Sequence, residues 1–499
     1  DEPFKSLEVL HFEEMLEWIT WEQHDGAFPC LQELRLSKCG KLVSGLPCDL
    51  PSLKSLQIKG CDQLMTPFPR ARAIVEIELE DENRRVNLHP RYGLQLSKEH
   101  FSRLGIGYSG SLSSLDQMLE DIQRTGASIS DLKQVNIGYS DLACGFHSTE
   151  SCSLLEGVIK RFKSLDSLAL SNCPKLVSFP NCELVSPSLT KLYLHNLENL
   201  KSLPEQMLLI LPSLVDLRLW GCPELEFFPL GGLPYKLESL QISYCKKLMA
   251  GRKHWNLQAL PSLSSFTVGG YYDEMESFPE EMLLPSSLTT LIVEGVHLLK
   301  CLDNKGLQHL TNLQTLQIEL CFAFEKLPEE GLPQSLITLG ICSLPNLKSL
   351  SPIQLHTSLR RLSIEDCDEI SSVSEVALPS TITSLVVDGL NIRSLDGWDF
   401  RRLTCLRELK ISDCKNLESI LQVALPSSLR LVELQHCPKL QFLPKEGFPS
   451  SLECLDILDC PLLTKKCQWE GEEWHRISYI PFILIDFRCL NFASGELYK

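Results

Sequence analysis

The feature that most limits the possible folds of this chain is a short apolar pattern that recurs along most of its length. Residues 451–463 show it clearly as L-x-x-L-x-I-x-x-C-P-x-L. The alternation of Leu455 and Ile457 predicts a short strand with these side chains on one side. A single unit of this size cannot bury its apolar face, whereas stacked units can. The repeat therefore predicts a solenoid in which each unit adds one strand to a parallel sheet.

The spacing of the units indicates the type of repeat. From Leu165 onwards they recur about every 23 to 26 residues, within the range of leucine-rich repeats. Return segments such as residues 327–333 are rich in Pro and Gly and too short for a full helix. We therefore predict an α/β solenoid, a leucine-rich-repeat horseshoe with a continuous parallel concave sheet and a mostly irregular or 3₁₀ outer face. The regular strands are predicted around Leu168, Leu192, Leu217, Leu240, Phe266, Leu291, Leu316, Leu339, Leu362, Leu385, Leu409, Val432 and Leu455.

The part of the chain before these regular units shows a weaker repeat. Residues 1–80 carry N-terminal leucine-rich repeats, and we expect the array to begin further upstream because no polar cap precedes them. Over residues 81–164 the period breaks down, which predicts irregular repeats with a lateral helix. That helix is expected over residues 113–122, with its end at Gly126, and a divergent strand is expected around Val135.

The pattern changes again at the other end of the chain. Residues 165–463 are assigned to the regular repeats, and residues 464–490 to a C-terminal cap. Trp474, Ile477 and Ile480 can cover the last open coil while the charged residues between them face water. Residues 491–499 are predicted to be a flexible tail.

Composition excludes several classes of function. The net charge of −17 opposes nucleic-acid binding, and no apolar run is long enough to span a membrane. Ten of the 21 cysteines share one place in the repeat, which predicts small buried thiols in a reducing compartment. No N-x-[ST] glycosylation sequon occurs either, so we expect a cytoplasmic protein. The ten are Cys39, Cys61, Cys173, Cys222, Cys245, Cys321, Cys367, Cys414, Cys437 and Cys460.

Three stretches carry a resemblance to a known family. They are residues 15–18 leading to residues 27–34, residues 425–429, and residues 460–463 running on to residues 473–477. Over essentially its whole length the chain resembles the leucine-rich-repeat region of plant intracellular nucleotide-binding immune receptors of the coiled-coil class. The family's G-x-x-x-x-G-K-[ST] phosphate-binding motif is absent. The resemblance therefore implies that ADP or ATP is bound only by an upstream domain of a parent protein, and no cofactor is expected here.

The sequence does not favour catalysis. The 12 histidines are scattered among different repeats, no G-x-S-x-G motif occurs, and no C-x-x-C pair indicates a zinc site. Paired acids such as Glu329 and Glu330 have no neighbouring histidine or metal-like partner. We therefore expect no enzymatic activity, no catalytic residue and no metal site.

The candidate binding residues are solvent-facing positions of the strands, which form rows across the concave face of a repeat sheet. Exposed aromatic residues and arginine in one patch are typical of binding hot spots. The aromatic candidates are Tyr193, His195, Arg218, Trp220, Gln241, Tyr244, Tyr271 and Tyr272. A contiguous acidic row is expected to follow, formed by Glu294, Glu319, Glu365, Asp366, Asp388 and Asp413. Ordinary solvated strand residues remain the alternative for both groups.

The repeat by itself predicts protein binding, and the resemblance implies an immune role. The expected function is recognition of a pathogen effector, directly or through a guarded host protein, together with restraint of the receptor's own nucleotide-binding domain. No nucleic-acid or membrane partner is expected. An alternative is a substrate-recognition subunit of a ubiquitin ligase, which would carry an F-box upstream, and a receptor ectodomain is disfavoured by the cysteine positions and missing sequons.

Overall fold

The predicted strands are present as a succession of parallel five-residue strands, one for each repeat unit. In the computed structural model, the described residues are 4–21, 27–43, 46–47, 50–59, 61, 64, 76–80, 103–107, 134–138, 164–173, 176–179, 186–272, 275–328, 332–353, 356–367, 369–370, 378–398, 400–420, 425–469 and 471–491. They fall into two units, residues 1–256 and residues 257–499, which we call unit 1 and unit 2.

Unit 1 contains ten strands, each hydrogen-bonded in parallel to the next along the chain. Register is constant, so that Leu192 lies opposite Leu217 and Leu217 opposite Leu240. These leucines are at most 1% exposed and form a continuous apolar row, as parallel strands with one buried face require. The strands are β1 (Val9–Glu13), β2 (Glu33–Ser37), β3 (Ser55–Lys59), β4 (Glu76–Glu80), β5 (Arg103–Gly107), β6 (Gln134–Gly138), β7 (Ser167–Ser171), β8 (Lys191–His195), β9 (Asp216–Trp220) and β10 (Ser239–Ser243).

Two strands lie within the stretch predicted to be irregular. The strand expected around Val135 is confirmed as β6, and β5 was not predicted at all. The strands β4 to β7 begin at residues 76, 103, 134 and 167, which is a wider spacing than in the regular repeats and conceals the period. The lateral helix predicted over residues 113–122 lies outside the described residues.

Unit 2 continues the same pattern with ten main strands, which are joined by nine parallel pairings. Its apolar row includes Phe266, Leu291 and Leu316, none of which is exposed. The main strands are β11 (Ser265–Gly269), β13 (Thr290–Glu294), β15 (Thr315–Glu319), β16 (Thr338–Cys342), β17 (Arg361–Glu365), β18 (Ser384–Asp388), β19 (Glu408–Ser412), β20 (Leu431–Gln435), β21 (Cys454–Leu458) and β22 (Phe482–Ile485). The short strands β12 (Ser277–Phe278) and β14 (Cys301–Leu302) pair with each other in the return segments.

The return segments contain short turns of helix, as the Pro- and Gly-rich sequence predicts. Single turns of 3₁₀ helix occur at Arg252–His254, Leu257–Ala259, Ser351–Ile353 and Phe400–Arg402. Four- and five-residue α-helices also occur there, which the sequence had not indicated: α1 (Met207–Ile210), α2 (Lys246–Ala250) and α3 (Asn304–Gln308).

A left-handed residue follows most of the strands and turns the chain inward. Its N–H extends the parallel ladder, as Gly221 N does by donating to Ser243 O at 2.8 Å. Glycine, Asn and Asp tolerate this conformation best. The position is occupied by Glu14, Lys38, Asn172, Asn196, Gly221, Tyr244, Gly270, Gly295, Leu320, Ser343, Asp366, Gly389, Asp413, His436, Asp459 and Asp486, all with positive φ.

The next residue in nine of these turns is a repeat cysteine, and Cys61 is the tenth, two residues after the end of β3. All ten are buried and free, which confirms their predicted burial. The thiol can donate to a carbonyl of the preceding coil, as Cys460 Sγ does to Leu434 O at 3.5 Å and Cys222 Sγ to Leu194 O at 3.7 Å. A small side chain with a weak donor fits this narrow position.

After the last repeat, two helices and a strand pair cover the final coil. The helices are α4 (Pro461–Cys467) and α5 (Trp474–Ile477), and Ile477 and Ile480 are fully buried. The strand β22 then pairs in parallel with β21, and β23 (Arg488–Asn491) folds back on β22 in antiparallel fashion. Asn491, expected in the flexible tail, is therefore the last residue of a strand.

Candidate protein-recognition surface

Three adjacent strands of unit 1 bring most of the aromatic candidates together. The pairing of β8, β9 and β10 places Tyr193 opposite Arg218, and His195 opposite Trp220. Because Leu217 and Leu219 are fully buried, the alternate residues Arg218 and Trp220 face solvent. We call the cluster of Tyr193, His195, Arg218, Trp220 and Tyr244 the Tyr-Arg-Trp surface.

A carboxylate beneath this surface fixes two of its side chains. Asp216 Oδ2 accepts a hydrogen bond from Tyr193 Oη at 2.9 Å and from Arg218 Nη2 at 3.0 Å. The Asp216 side chain is only 13% exposed, and Arg218 Nε also donates to it, at 3.2 Å. An ion pair with several hydrogen bonds and one buried partner is better ordered than an ordinary surface pair. Tyr193 and Arg218 are thus held in place without a partner.

Aromatic contacts continue across the same strands. The guanidinium carbon of Arg218 lies 4.7 Å from the centre of the Tyr193 ring, within cation–π range. His195 lies edge-on to Trp220 with ring centres 6.3 Å apart, and Trp220 lies edge-on to Tyr244 at 5.5 Å. Trp220 and Tyr244 are each 40% exposed. An ordered, partly exposed aromatic row is therefore available to a ligand.

The electrostatics of the Tyr-Arg-Trp surface follow from burial and from Asp216. Burial and the hydrogen bond to Asp216 raise the pKa of Tyr193 to about 12. The hydrogen bond to Asp216 also raises the pKa of Arg218. Burial and the nearby Arg218 charge lower the pKa of His195, so that its ring is mainly neutral at pH 7. At neutral pH the exposed charge of this surface is the Arg218 guanidinium, with Asp216 beneath it.

Tyr244 reaches the surface from a different position from the one expected. The sequence placed it on a strand, but β10 ends at Ser243 and Tyr244 is the left-handed residue of the next turn, with φ of 56°. The strand position opposite Trp220 belongs to Ser243, which is 2% exposed. Gln241 does lie on β10, opposite Arg218, and donates to Ser243 Oγ at 3.4 Å.

The two tyrosines after β11 have opposite environments. Tyr271 is 63% exposed, whereas Tyr272 is 6% exposed and donates a 2.6 Å hydrogen bond to Gly269 O. The expectation that Tyr272 faces solvent was wrong, because its ring packs inward from the turn where other repeats place a cysteine. Tyr271 stacks on His297 with ring centres 3.9 Å apart, and His297 on Phe322 at 5.0 Å.

The acidic candidates form two pairs rather than one contiguous row. Glu294 lies opposite Glu319, and Glu365 opposite Asp388, but Cys342 occupies the position between the pairs. Asp366 and Asp413 do not lie on strands, since each occupies the left-handed turn one residue beyond a strand. All six remain at the same end of their repeats.

Asp216 is the important residue that the sequence analysis missed. It is the first residue of β9, and only 9% of it is exposed. The available signal was the D-x-R spacing, since residues two apart on a strand point to the same side. No group of three or more His, Cys, Asp or Glu residues that could hold a metal occurs within the described ranges. In the same part of the chain no helix is long and apolar enough to cross a membrane.

Sequence comparison gives the context of this surface. No protein-family model matches the chain. Over 167 residues it is 38% identical to At3g14460 of Arabidopsis thaliana, named as a disease resistance protein, and the alignment spans 33% of this chain. Over 67 residues, 13% of this chain, it is 39% identical to the disease resistance RPP13-like protein 1 of the same plant. Over these two segments the chain is similar in sequence to plant disease resistance proteins.

The two disease resistance proteins are much longer than their matched segments, which make up 12% and 6% of their respective lengths. Among solved structures, the crystal structure of CroV588, described as a novel circular LRR protein, aligns with 91% of this chain and 79% of its own chain. The TM-score is 0.42 and the sequence identity 15%. The assignment to the leucine-rich-repeat solenoid rests on the repeat and on its strand register.

Proposed function

We propose that this chain is the recognition domain of a plant intracellular immune receptor. It senses a pathogen effector, directly or through a guarded host protein, and it restrains the nucleotide-binding domain of the same receptor until then. The sequence relation to disease resistance proteins supports the immune role. This proposal makes the chain a cytoplasmic binding domain without catalysis, in which ADP or ATP is bound by another domain.

The observation that carries the proposal is the Tyr-Arg-Trp surface. Trp, Tyr and Arg are the residues most enriched at binding hot spots, and here they lie side by side on adjacent strands. Asp216 has already ordered Tyr193 and Arg218, which lowers the conformational entropy lost when a partner binds.

The proposal is tested in the full-length protein that contains this chain, expressed in leaf tissue with and without the pathogen it recognises. We expect Arg218→Ala and Trp220→Ala either to abolish the pathogen-dependent cell death or to cause cell death without the pathogen. The first result reports lost recognition and the second lost restraint. Tyr235→Ala is the matched control, since Tyr235 is a 59% exposed aromatic residue that is not part of the surface.

Protein abundance is measured by immunoblot in the same leaves, so that loss of folding is distinguished from loss of contact. If both variants accumulate normally and respond as the Tyr235→Ala control does, the Tyr-Arg-Trp surface takes part in neither recognition nor restraint, and the proposal is wrong.

A further inference from the structure

The turn end of the unit 2 strands carries an uncompensated negative charge. Over β13 to β19, the last strand residue and the residue after it include Glu294, Glu319, Glu365, Asp366, Asp388 and Asp413, and no Lys or Arg. None of these six carboxylates forms an ion pair with a Lys or Arg among the residues that the structure describes. Acids elsewhere in unit 2 do so: Glu276 pairs with Lys300 at 3.1 Å, and Glu453 with Arg430 at 3.4 Å.

The six carboxylates are close enough to influence one another. Partial burial raises the pKa of Glu319, and the charges of Glu294 and Glu365 raise it further. Burial likewise raises the pKa of Asp388, with contributions from Asp413 and Glu365, although Ser412 Oγ donates a hydrogen bond to it. Among the described residues, the fold therefore holds these like charges together without pairing them to a Lys or Arg.

A stack of three aromatic rings lies at the same end of the strands. It consists of Tyr271, His297 and Phe322. His297 lies three residues after Glu294, and Phe322 lies three residues after Glu319. Tyr271 is 63% exposed and Phe322 is 44% exposed. The left-handed residue between Glu319 and Phe322 is Leu320, which is also 41% exposed. Carboxylates and exposed aromatic rings thus occur together at this end of the strands. Among the described residues, no Lys or Arg pairs with these carboxylates.

We propose that this acidic-aromatic end of unit 2 binds a basic protein segment, which deepens the proposed function by giving the charge of a partner. Arginine suits it best, because a guanidinium can pair with a carboxylate through two hydrogen bonds and stack on a ring face. Nucleic acid does not fit, since phosphates would be repelled. A bound metal does not fit either, because the carboxylates form no ligand group within the described residues.

The separation of the outermost strand carboxylates sets the size of the segment. Glu294 and Asp388 are four strand steps apart, on β13 and β18. At about 4.8 Å per step this distance is about 19 Å, which an extended segment of about six residues spans. The partner segment should therefore carry several basic residues within about six positions, together with an aliphatic or guanidinium group for the aromatic stack.

The test measures binding of fluorescein-labelled nona-arginine to the whole chain by fluorescence anisotropy at 50 mM NaCl. We compare wild type with the quadruple variant E294Q/E319Q/E365Q/D388N. The matched control is E224Q/E276Q/E433Q/E453Q, which removes the same number of charges from acids that already pair with Lys247, Lys300, Lys410 and Arg430. We expect E294Q/E319Q/E365Q/D388N to bind about tenfold more weakly and the control to stay within about twofold of wild type.

Equal weakening in both quadruple variants would show that the peptide senses only net charge. Unchanged binding by E294Q/E319Q/E365Q/D388N would show that the peptide binds elsewhere. Either result overturns the inference. Phe322→Ala should weaken binding about threefold relative to Phe227→Ala, a 54% exposed phenylalanine of unit 1. If Phe322→Ala and Phe227→Ala bind the peptide with equal affinity, the aromatic stack is not part of the binding site. None of these measurements depends on the leaf assay, so this inference and the proposed function can fail separately.

Discussion

The guanidinium of Arg218 lies over the ring of Tyr193 on the neighbouring strand, and both side chains donate hydrogen bonds to the same carboxylate of Asp216. This triangle explains why two large side chains are ordered on an open sheet face. Fixing a long side chain costs up to about 2 kcal/mol of conformational entropy, and here part of that cost is met during folding. The following predictions concern this surface and the core beneath it.

Replacing Asp216 by Asn should lower the pKa of Tyr193. Burial and Asp216 together raise that pKa to about 12, so removing the negative charge takes away the second cause. Because the folded-state pKa is raised, the stabilisation from protonated Tyr193 is full below the unfolded value of about 10 and is lost as pH rises through about 12. Tyrosinate absorbance at 295 nm measures the titration, and Tyr193→Phe identifies its transition. An unchanged transition in Asp216→Asn would contradict the contact.

Core and surface substitutions on β9 should separate stability from recognition. Leu219 is fully buried, so Leu219→Ala should cost about 2–5 kcal/mol of unfolding free energy. Truncation of a buried aromatic residue costs about 3–5 kcal/mol of unfolding free energy. Because Trp220 is 40% exposed, Trp220→Ala should cost much less than that. The midpoint of urea unfolding compares the two variants directly. A larger shift for Trp220→Ala than for Leu219→Ala would show that the tryptophan is a core residue.

Tyr244→Asn should stabilise the fold slightly. Tyr244 has φ of 56°, a conformation that asparagine tolerates better than a bulky residue, and Asn172 and Asn196 occupy the same turn position. We expect a gain of about 0.5–1 kcal/mol, measured by urea unfolding. The same change should weaken recognition, since the exposed ring against Trp220 is lost. A destabilised variant would mean that the Tyr244 ring contributes more to packing than the turn costs.

The repeat cysteines should react slowly with thiol reagents in the folded protein. Burial raises the pKa of Cys173 and Cys367 to about 12, which suppresses the reactive thiolate at pH 8. Cys30 and Cys405 are exposed and provide internal standards for fast labelling. Site-resolved mass spectrometry after brief alkylation, with and without denaturant, measures the difference. Rapid native labelling of most repeat cysteines, or disulfides among them, would contradict the packing.

The apolar row of the sheet could be predicted because it depends on the simple alternation of strand side chains. Leu217 and Leu219 are buried and Arg218 and Trp220 exposed, as that alternation requires. The strand β5 escaped prediction because long connections precede and follow it, and only the spacing of Leu104 and Ile106 indicated it.

The turns after the strands were less predictable than the strands. The sequence analysis placed three residues on strands that lie in the turn directly after a strand: Asp366, Asp413 and Tyr244. The end of a strand is hard to locate in the sequence when the left-handed turn residue is not glycine. Tyr272 was assigned to the surface, although its ring points inward. The direction of that ring depends on the local path of one turn, which the sequence pattern does not show. Such details are set by tertiary packing rather than by periodicity.

The most direct test of the account is hydroxyl-radical footprinting of Trp220, read by mass spectrometry. Oxidation of Trp220 is compared in the isolated chain, in the resting full-length protein, and in the full-length protein bound to the pathogen or host protein it recognises. Tyr235, 59% exposed and away from the Tyr-Arg-Trp surface, is the reference. We predict that Trp220 oxidation falls at least about threefold in one of the two full-length states while Tyr235 is unchanged. Equal oxidation of Trp220 in all three states would contradict the claim that this surface is where the chain meets its partners.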